Sequence, residues 1–212
     1  MIDRSLPRYP LCLCKTDTKQ YPKYELPSGY KIEFYKKGDE VHWAELECSI
    51  GQFESIEEAL KSFNSEFVNG QTLIPEERMM FVKDESGDYV ATCALWDGDF
   101  LGKRCQRLHW LAVSDKCTGK GIAKALVCSV LDLYNQLGYE GFVYLWTGTW
   151  YYRAIRIYKE FGFVEYDGER SFIKNMSDEE FVKQNREAIA FVNMKLSEYN
   201  NSIKAKLNEK KN

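Results

Sequence analysis

Between residues 122 and 137, Ile122, Leu126, Val130, Leu133 and Leu137 recur at steps of three or four. That spacing lays one apolar stripe along a helix, and Gly138 is suited to ending it. Tyr151, Ala154, Ile155, Tyr158 and Phe161 predict a second helix, stopped at Gly162. Val41, Ala44 and Cys48 give helical spacing within GDEVHWAELECSIGQ, and Ser55-Ile56-Glu57-Glu58 matches a capping box opening a helix that runs to Val68. Another capping box, Ser177 to Glu180, precedes Phe181, Ile189, Val192 and Leu196 and predicts a long terminal helix that frays from Lys204 to Asn212.

Elsewhere the apolar runs are short and bounded by turn residues. KIEFY follows a turn at Ser28-Gly29, and MMFVK, YVATCALW and RCQRLHWLAV are separated by Glu85-Ser86-Gly87-Asp88 and Asp97-Gly98-Asp99. This texture predicts an antiparallel meander. FVEYDGERSFIKN reads as a closing hairpin around Asp167-Gly168. LHWLAV, a glycine turn, the 122–137 helix and FVYLWT form a βαβ unit whose two strands run parallel. The fold class is α/β (α+β), a mixed and mostly antiparallel sheet flanked by helices.

At 212 residues with 44% hydrophobic content, the chain suits one packed domain. Residues 1–23, with Pro7, Pro10 and Pro22, read as an N-terminal arm or short strand on a domain of residues 24–175. A helical extension over 176–212 packs on that domain or on a partner subunit, which keeps a homodimer open. A net charge of −3 gives no general attraction to nucleic acid or to an anionic membrane. No apolar run approaches the roughly 20 residues of a span, and MIDRSLPRYPLCLC lacks a secretory signal's apolar stretch. A cytoplasmic protein with reduced thiols is the expectation, since the seven cysteines show no framework spacing. No metal site is expected either, because Cys12 and Cys14 lack a second pair and His42 and His109 stand alone.

The candidate chemistry centres on VSDKCTGKGIAKAL, residues 113–126. After a strand, this turn supplies NH groups at a helix start, where unpaired donors and the dipole favour an anion. Gly119 and Gly121 let a phosphate reach the backbone, with Lys116, Lys120 and Lys124 nearby. A bare glycine turn with solvated lysines is the alternative. A P-loop is excluded because Gly119-Lys120 is followed by Gly121 and no glycine stands five positions earlier. A dinucleotide fingerprint fails because Lys124 occupies the third glycine's place and FVYLWT offers no acid.

VSDKCTGKGIAKAL resembles the acyl-CoA-binding motif of the GNAT N-acetyltransferase superfamily, V-x-P-x-x-R/Q-G-x-G-I-G/A. Val113, Gly119, Gly121, Ile122 and Ala123 match it, while Asp115 and Thr118 depart from it. YRAIRIYKEFGF is similar to a second family signature, N-x-x-A-I-x-x-Y-x-x-x-G-F, through Ala154, Ile155, Tyr158, Gly162 and Phe163, with Tyr151 in place of asparagine. The resemblance covers about residues 29–175 and implies a GNAT-type fold with a central βαβ acyl-CoA-binding unit.

It further implies acetyl-CoA as cosubstrate and an amine as acceptor, with acetyl transferred by direct attack in a ternary complex. Leu111, Ala112 and Val113 would flank the pantetheine arm. Thr118, Gly119, Lys120, Gly121, Ile122, Ala123 and Lys124 would hold the pyrophosphate, and Tyr151 would stand at a further cofactor contact. Tyr158 would be the acid that protonates the leaving thiolate. The base is less determined: His109 has a suitable intrinsic pKa, while Glu45 and Glu47 are weaker candidates. Trp43, Phe53, Trp146 and Trp150 are candidates for an aromatic acceptor pocket. The rival function is a non-catalytic acyl-CoA sensor, motivated by Thr118 and Tyr151.

Overall fold

A computed structural model of the protein describes residues 5–69 and 73–209. Among these, seven strands form one sheet: β1 (Pro10–Lys15), β2 (Lys31–Phe34), β3 (Met79–Lys83), β4 (Tyr89–Phe100), β5 (Lys103–Val113), β6 (Val143–Gly148) and β7 (Val164–Glu165). Their order is β2-β3-β4-β5-β6-β1-β7. Every neighbouring pair is antiparallel except β5 and β6, which run parallel with Arg107 opposite Tyr144. Parallel neighbours need a long crossover, and α4 (Ile122–Gln136) supplies it between β5 and β6.

The sheet is buried on both faces, which explains why MMFVK and YVATCALW read as nearly continuous apolar runs. Successive strand residues point to opposite sides. Met80, Val82, Cys93 and Leu95 join a core with Leu126 and Val130 of α4, Ile155 of α5 (Tyr152–Glu160), and Ala188 and Val192 of α6 (Asp178–Glu209). Met79, Phe81, Ala94 and Trp96 instead meet Trp43 of α1 (Glu40–Ser49) and Phe63 of α2 (Ile56–Phe63). A four-residue α3 (Pro75–Arg78) leads into β3. No helix among the described residues is long and apolar enough to cross a membrane.

Several boundaries differ from the sequence expectation. Asp97-Gly98-Asp99 is not a turn: β4 continues to Phe100, and the reversal falls on Leu101 and Gly102, at φ 54 and 82. Two left-handed residues suit a tight hairpin, and Asp99 accepts the Gly102 amide at 3.0 Å. Ser55 caps α2 as predicted, accepting from the Glu58 amide at 3.2 Å, but after Phe63 the chain winds through a π-helical turn, Asn64–Val68. Ser177 likewise accepts from the Glu180 amide at 3.2 Å. Helix α6 stays helical to Glu209, beyond the expected fraying point, and residues 210–212 lie outside the described part.

The expected closing hairpin is absent, and its place beside β6 is taken by the N-terminal strand. β1 pairs with β6 from Pro10 opposite Gly148 to Lys15 opposite Val143, and with β7 on its other edge. Leu11 and Leu13 are fully buried there. With those ladder positions filled, Phe172 leaves the sheet plane and packs edge-on against Trp146 and Phe181, at centroid distances of 4.3 and 4.7 Å.

Candidate active site

The site begins with one extra residue in β5. Thr92 opposes Ala112 and Ala94 opposes His109, so Cys93 alone faces both Trp110 and Leu111. Trp110 takes φ 50 at this point, a left-handed backbone uncommon for a bulky residue, and the bulge bends its strand. Past the Arg107–Tyr144 pairing a cleft of ≈ 280 Å³ opens. Leu108 to Leu111 wall it from β5, and Trp146 and Thr147 from β6. Ala154 and Tyr158 of α5 form a third side, and Glu47, Ile50 and Gln52, from α1 and the loop after it, a fourth.

Tyr158 reaches this cleft from the buried face of α5. Its hydroxyl makes no hydrogen bond among the described residues, and burial, reinforced by Cys93 and Tyr151, pushes its pKa upward. The phenol therefore stays protonated through the neutral range. Tyr151 caps the same helix and donates from its hydroxyl to Gln52 Oε1 at 2.6 Å. Gly148 makes room for this corner, because a Cβ there would run into the Trp150 ring.

His109 Nε2 lies 3.0 Å from Glu66 Oε1, and Arg107 pairs with the same carboxylate. Burial pulls the imidazole down to about 4; the nearby Arg107 charge adds to that and Glu66 opposes it. Burial raises Glu66, yet His109 and Arg107 outweigh it and hold the carboxyl at about 2. Because His109 is neutral above about pH 4, Arg107 is the cation that balances Glu66 at neutral pH, and His109 serves it as an NH donor.

Glu47 is the opposite case. It is 2% exposed, and its Oε1 has no hydrogen-bond partner. Burial alone pushes its carboxyl up to about 8. Trp110 Nε1, on the facing wall, is also buried without a partner. Glu45 instead lies on the exposed side of α1 and bonds to His42 Nδ1 at 3.1 Å. The apolar spacing of Val41, Ala44 and Cys48 had caught only part of this helix's inner face: Ala44 is buried and Cys48 packs on the core, but Val41 is 42% exposed, while Trp43, Leu46 and Glu47 are buried as well.

The glycine turn stands at the far end of β5. Gly119 and Gly121 have φ 82 and 90, and nothing lies within 4 Å of where a Cβ would stand on either. The first amides of α4 follow directly, so an open concavity faces a row of unpaired donors. This is a fit for a pyrophosphate group. Thr118 and Lys120 are exposed here, whereas Ile122 is fully buried and offers only its backbone. Lys120 Nζ donates to the Tyr30 hydroxyl at 2.7 Å. Lys124 is held by Glu160 at 2.6 Å and by the Tyr24 hydroxyl at 3.3 Å.

A family model described as the acetyltransferase (GNAT) family matches residues 38–163. The chain belongs to the GNAT acetyltransferase family. Solved structures agree in fold. A GCN5-related N-acetyltransferase from Sphaerobacter thermophilus is 26% identical with TM-score 0.58, over 75% of this chain and 49% of that one. A GCN5-related glucosamine N-acetyltransferase region of a fungal multi-domain β-N-acetylglucosaminidase gives TM-score 0.53 at 13% identity, over 78% and 20%. A tandem GNAT protein from the clavulanic acid biosynthesis pathway gives 0.51 at 13%, over 78% and 52%. The chain thus spans about half the length of these structures or less. No curated protein matches the sequence.

The GNAT match contains every element that walls the cleft but leaves out β1, β2, β7 and α6. Within it, Tyr158, His109, Leu111 and Tyr151 come together at the cleft, along with Trp146 and Trp150. Trp43 is fully buried, and Phe53 stacks behind Trp110 at 5.7 Å. Gln52 and Trp110 went unnoticed in the sequence, since a loop glutamine and a strand tryptophan carry no periodic signal.

Proposed function

We propose that this GNAT protein moves the acetyl group of acetyl-CoA to an amine by direct attack, both substrates being bound together. The observation that carries this is the cleft between β5 and β6, which holds an unpaired, protonated Tyr158 and lies on the strand leading to the open glycine turn. Acetyl-CoA supplies an activated thioester carbonyl. Backbone groups of Leu111, Ala112 and Val113 suit the pantetheine amides as an added strand would. Residues 118–124 suit the pyrophosphate, with Thr118 and Lys120 the accessible side chains and Lys124 a bordering charge.

Tyr158 is the proton donor to the departing sulfur, a role that fits a phenol whose ionisation is suppressed. His109 was expected to take the amine proton, but an imidazole pulled to about 4 is a weak proton store at neutral pH. We give it a positioning role, anchoring the bulged strand through Glu66. Thiol release from acetyl-CoA across an amine panel tests the proposal. Acetylated amine in step with thiol is the expected result; tight CoA binding with no turnover of any amine would make the protein an acyl-CoA sensor.

A further inference from the structure

Building on that transfer reading, we propose that the acceptor is a small primary amine on a flat apolar body without anionic groups, and that Glu47 binds its ammonium and takes its proton. Three features of the cleft select this class. Glu47 is the one carboxylate among the residues lining it, almost fully buried, with Oε1 unpartnered. A buried polar atom left without a partner is costly unless a ligand completes it. An ammonium donates up to three hydrogen bonds and brings the missing countercharge.

The lining residues also include no lysine or arginine. A carboxylate or phosphate on the acceptor would be desolvated there with no cation among the lining side chains to balance it; Arg8 lies over the Trp150 ring at 5.6 Å but is not part of the lining. The rest of the wall is aromatic or aliphatic: Trp110, Trp146, Trp150 and Tyr151, with Ile50 beside Glu47. Such faces pack flat apolar groups and attract a cation. A cleft of ≈ 280 Å³ that also admits the thioester leaves space for a small body.

The titratable groups around Glu47 are Cys48 on its own helix, Cys93 on β4 and, across the cleft, His109, Tyr151 and Tyr158. None of them is a cation at neutral pH, so the empty site holds Glu47 protonated below about pH 8, and the arriving ammonium meets a carboxylate once that proton has left for solvent. An ammonium against the Glu47 carboxylate becomes an amine against a carboxylic acid by the shift of one proton, and an apolar site favours that neutral pair. The freed lone pair then bonds to the thioester carbonyl carbon, the C–S bond breaks, and sulfur receives the Tyr158 proton. Tyr158 regains a proton from the acylated nitrogen, and Glu47 passes its own to solvent. One proton is released per acetyl group transferred.

Calorimetric titration of the CoA-loaded protein with 2-phenylethylamine and with phenylalanine, which differ by one carboxylate, tests both parts. The amine should bind about tenfold more tightly or better, and Glu47→Gln should remove about tenfold of its affinity or more while leaving CoA affinity unchanged. Equal affinity for phenylalanine, absence of 2-phenylethylamine binding, or an unchanged Glu47→Gln variant would overturn the proposal. The comparison of the two ligands on the wild-type protein stands even if the variant folds poorly. Failure of the wild-type protein to bind CoA would sink the transfer reading instead, and the two ligands would then be compared on the unloaded protein with the same outcomes.

Discussion

Tyr151 and Gln52 stand 99 residues apart in sequence, yet the Tyr151 hydroxyl donates to Gln52 Oε1 at 2.6 Å and ties the start of α5 to the loop after α1. Both residues wall the cleft, so the bond holds these two walls together at the end proposed for the acceptor. Gln52→Ala should raise the amine KM roughly three- to tenfold, the worth of about one hydrogen bond, and leave CoA affinity alone. A Tyr151→Phe variant that weakened CoA binding while sparing the amine KM would place Tyr151 on the cofactor side instead.

Tyr158→Phe removes the hydroxyl proposed as proton donor and keeps the ring that packs at 6.0 Å from Phe163. The turnover number should fall about a hundredfold or more, the usual worth of general acid catalysis, with CoA affinity unchanged. Steady-state kinetics beside a CoA titration separates the two. Wild-type turnover in the variant would end the assignment.

Gly121 caps α4 at φ 90, a conformation that costs an L-residue roughly 1–2 kcal/mol. Gly121→Ala should therefore lower the melting temperature, and Gly121→Glu should also abolish the thermal shift given by CoA by placing a carboxylate in the anion cradle. An undiminished shift in the glutamate variant would remove the turn from the cofactor site.

Glu47 links protonation to both stability and rate. Its folded pKa of about 8 exceeds the ordinary carboxylate value, so the folded state holds a proton that the unfolded state has released. Stability contributed by that proton is present below the ordinary value, is lost as pH rises toward about 8, and is fully gone above it. The loss is on the order of a few kcal/mol. Glu47→Gln should flatten the fall in melting temperature between pH 5 and pH 9. The acid limb of kcat/KM, expected near pH 8 in the wild type, should vanish with it; a limb that persists unchanged would assign the ionisation to another group.

The βαβ unit and the glycine turn were legible because their residues announce local geometry: a 3.6-residue stripe from Ile122 to Leu133, and glycines where φ must be positive. Tyr158 was legible only through its place in the family's helix signature. Glu47 was named only as a weaker candidate base, level with Glu45, because nothing local separates the two. An acid among apolar residues reads as the wet side of a helix, and α1 indeed carries Glu45 on its wet side. Only the arrival of β4 and β5 on the other face makes Glu47 an interior group. The bulge at Trp110 was equally unreadable, since it is a mismatch of count between two strands and appears in neither strand alone.

The N-terminal strand has a further consequence for how the molecule is made. Residues 10–15 leave the ribosome long before residues 143–148 and 164–165, their ladder partners among the described residues. Until those partners emerge, Leu11 and Leu13 have no place to be buried, and until β1 docks on it the newly made β6 has an open edge of the kind that recruits strands from other chains. Contacts this distant in sequence form late because a long loop must close first. The wall of the cleft that carries Trp146 is thus completed at a late stage of folding by a strand synthesised well before it, and crowded or rapid expression should expose this protein to strand exchange at that edge.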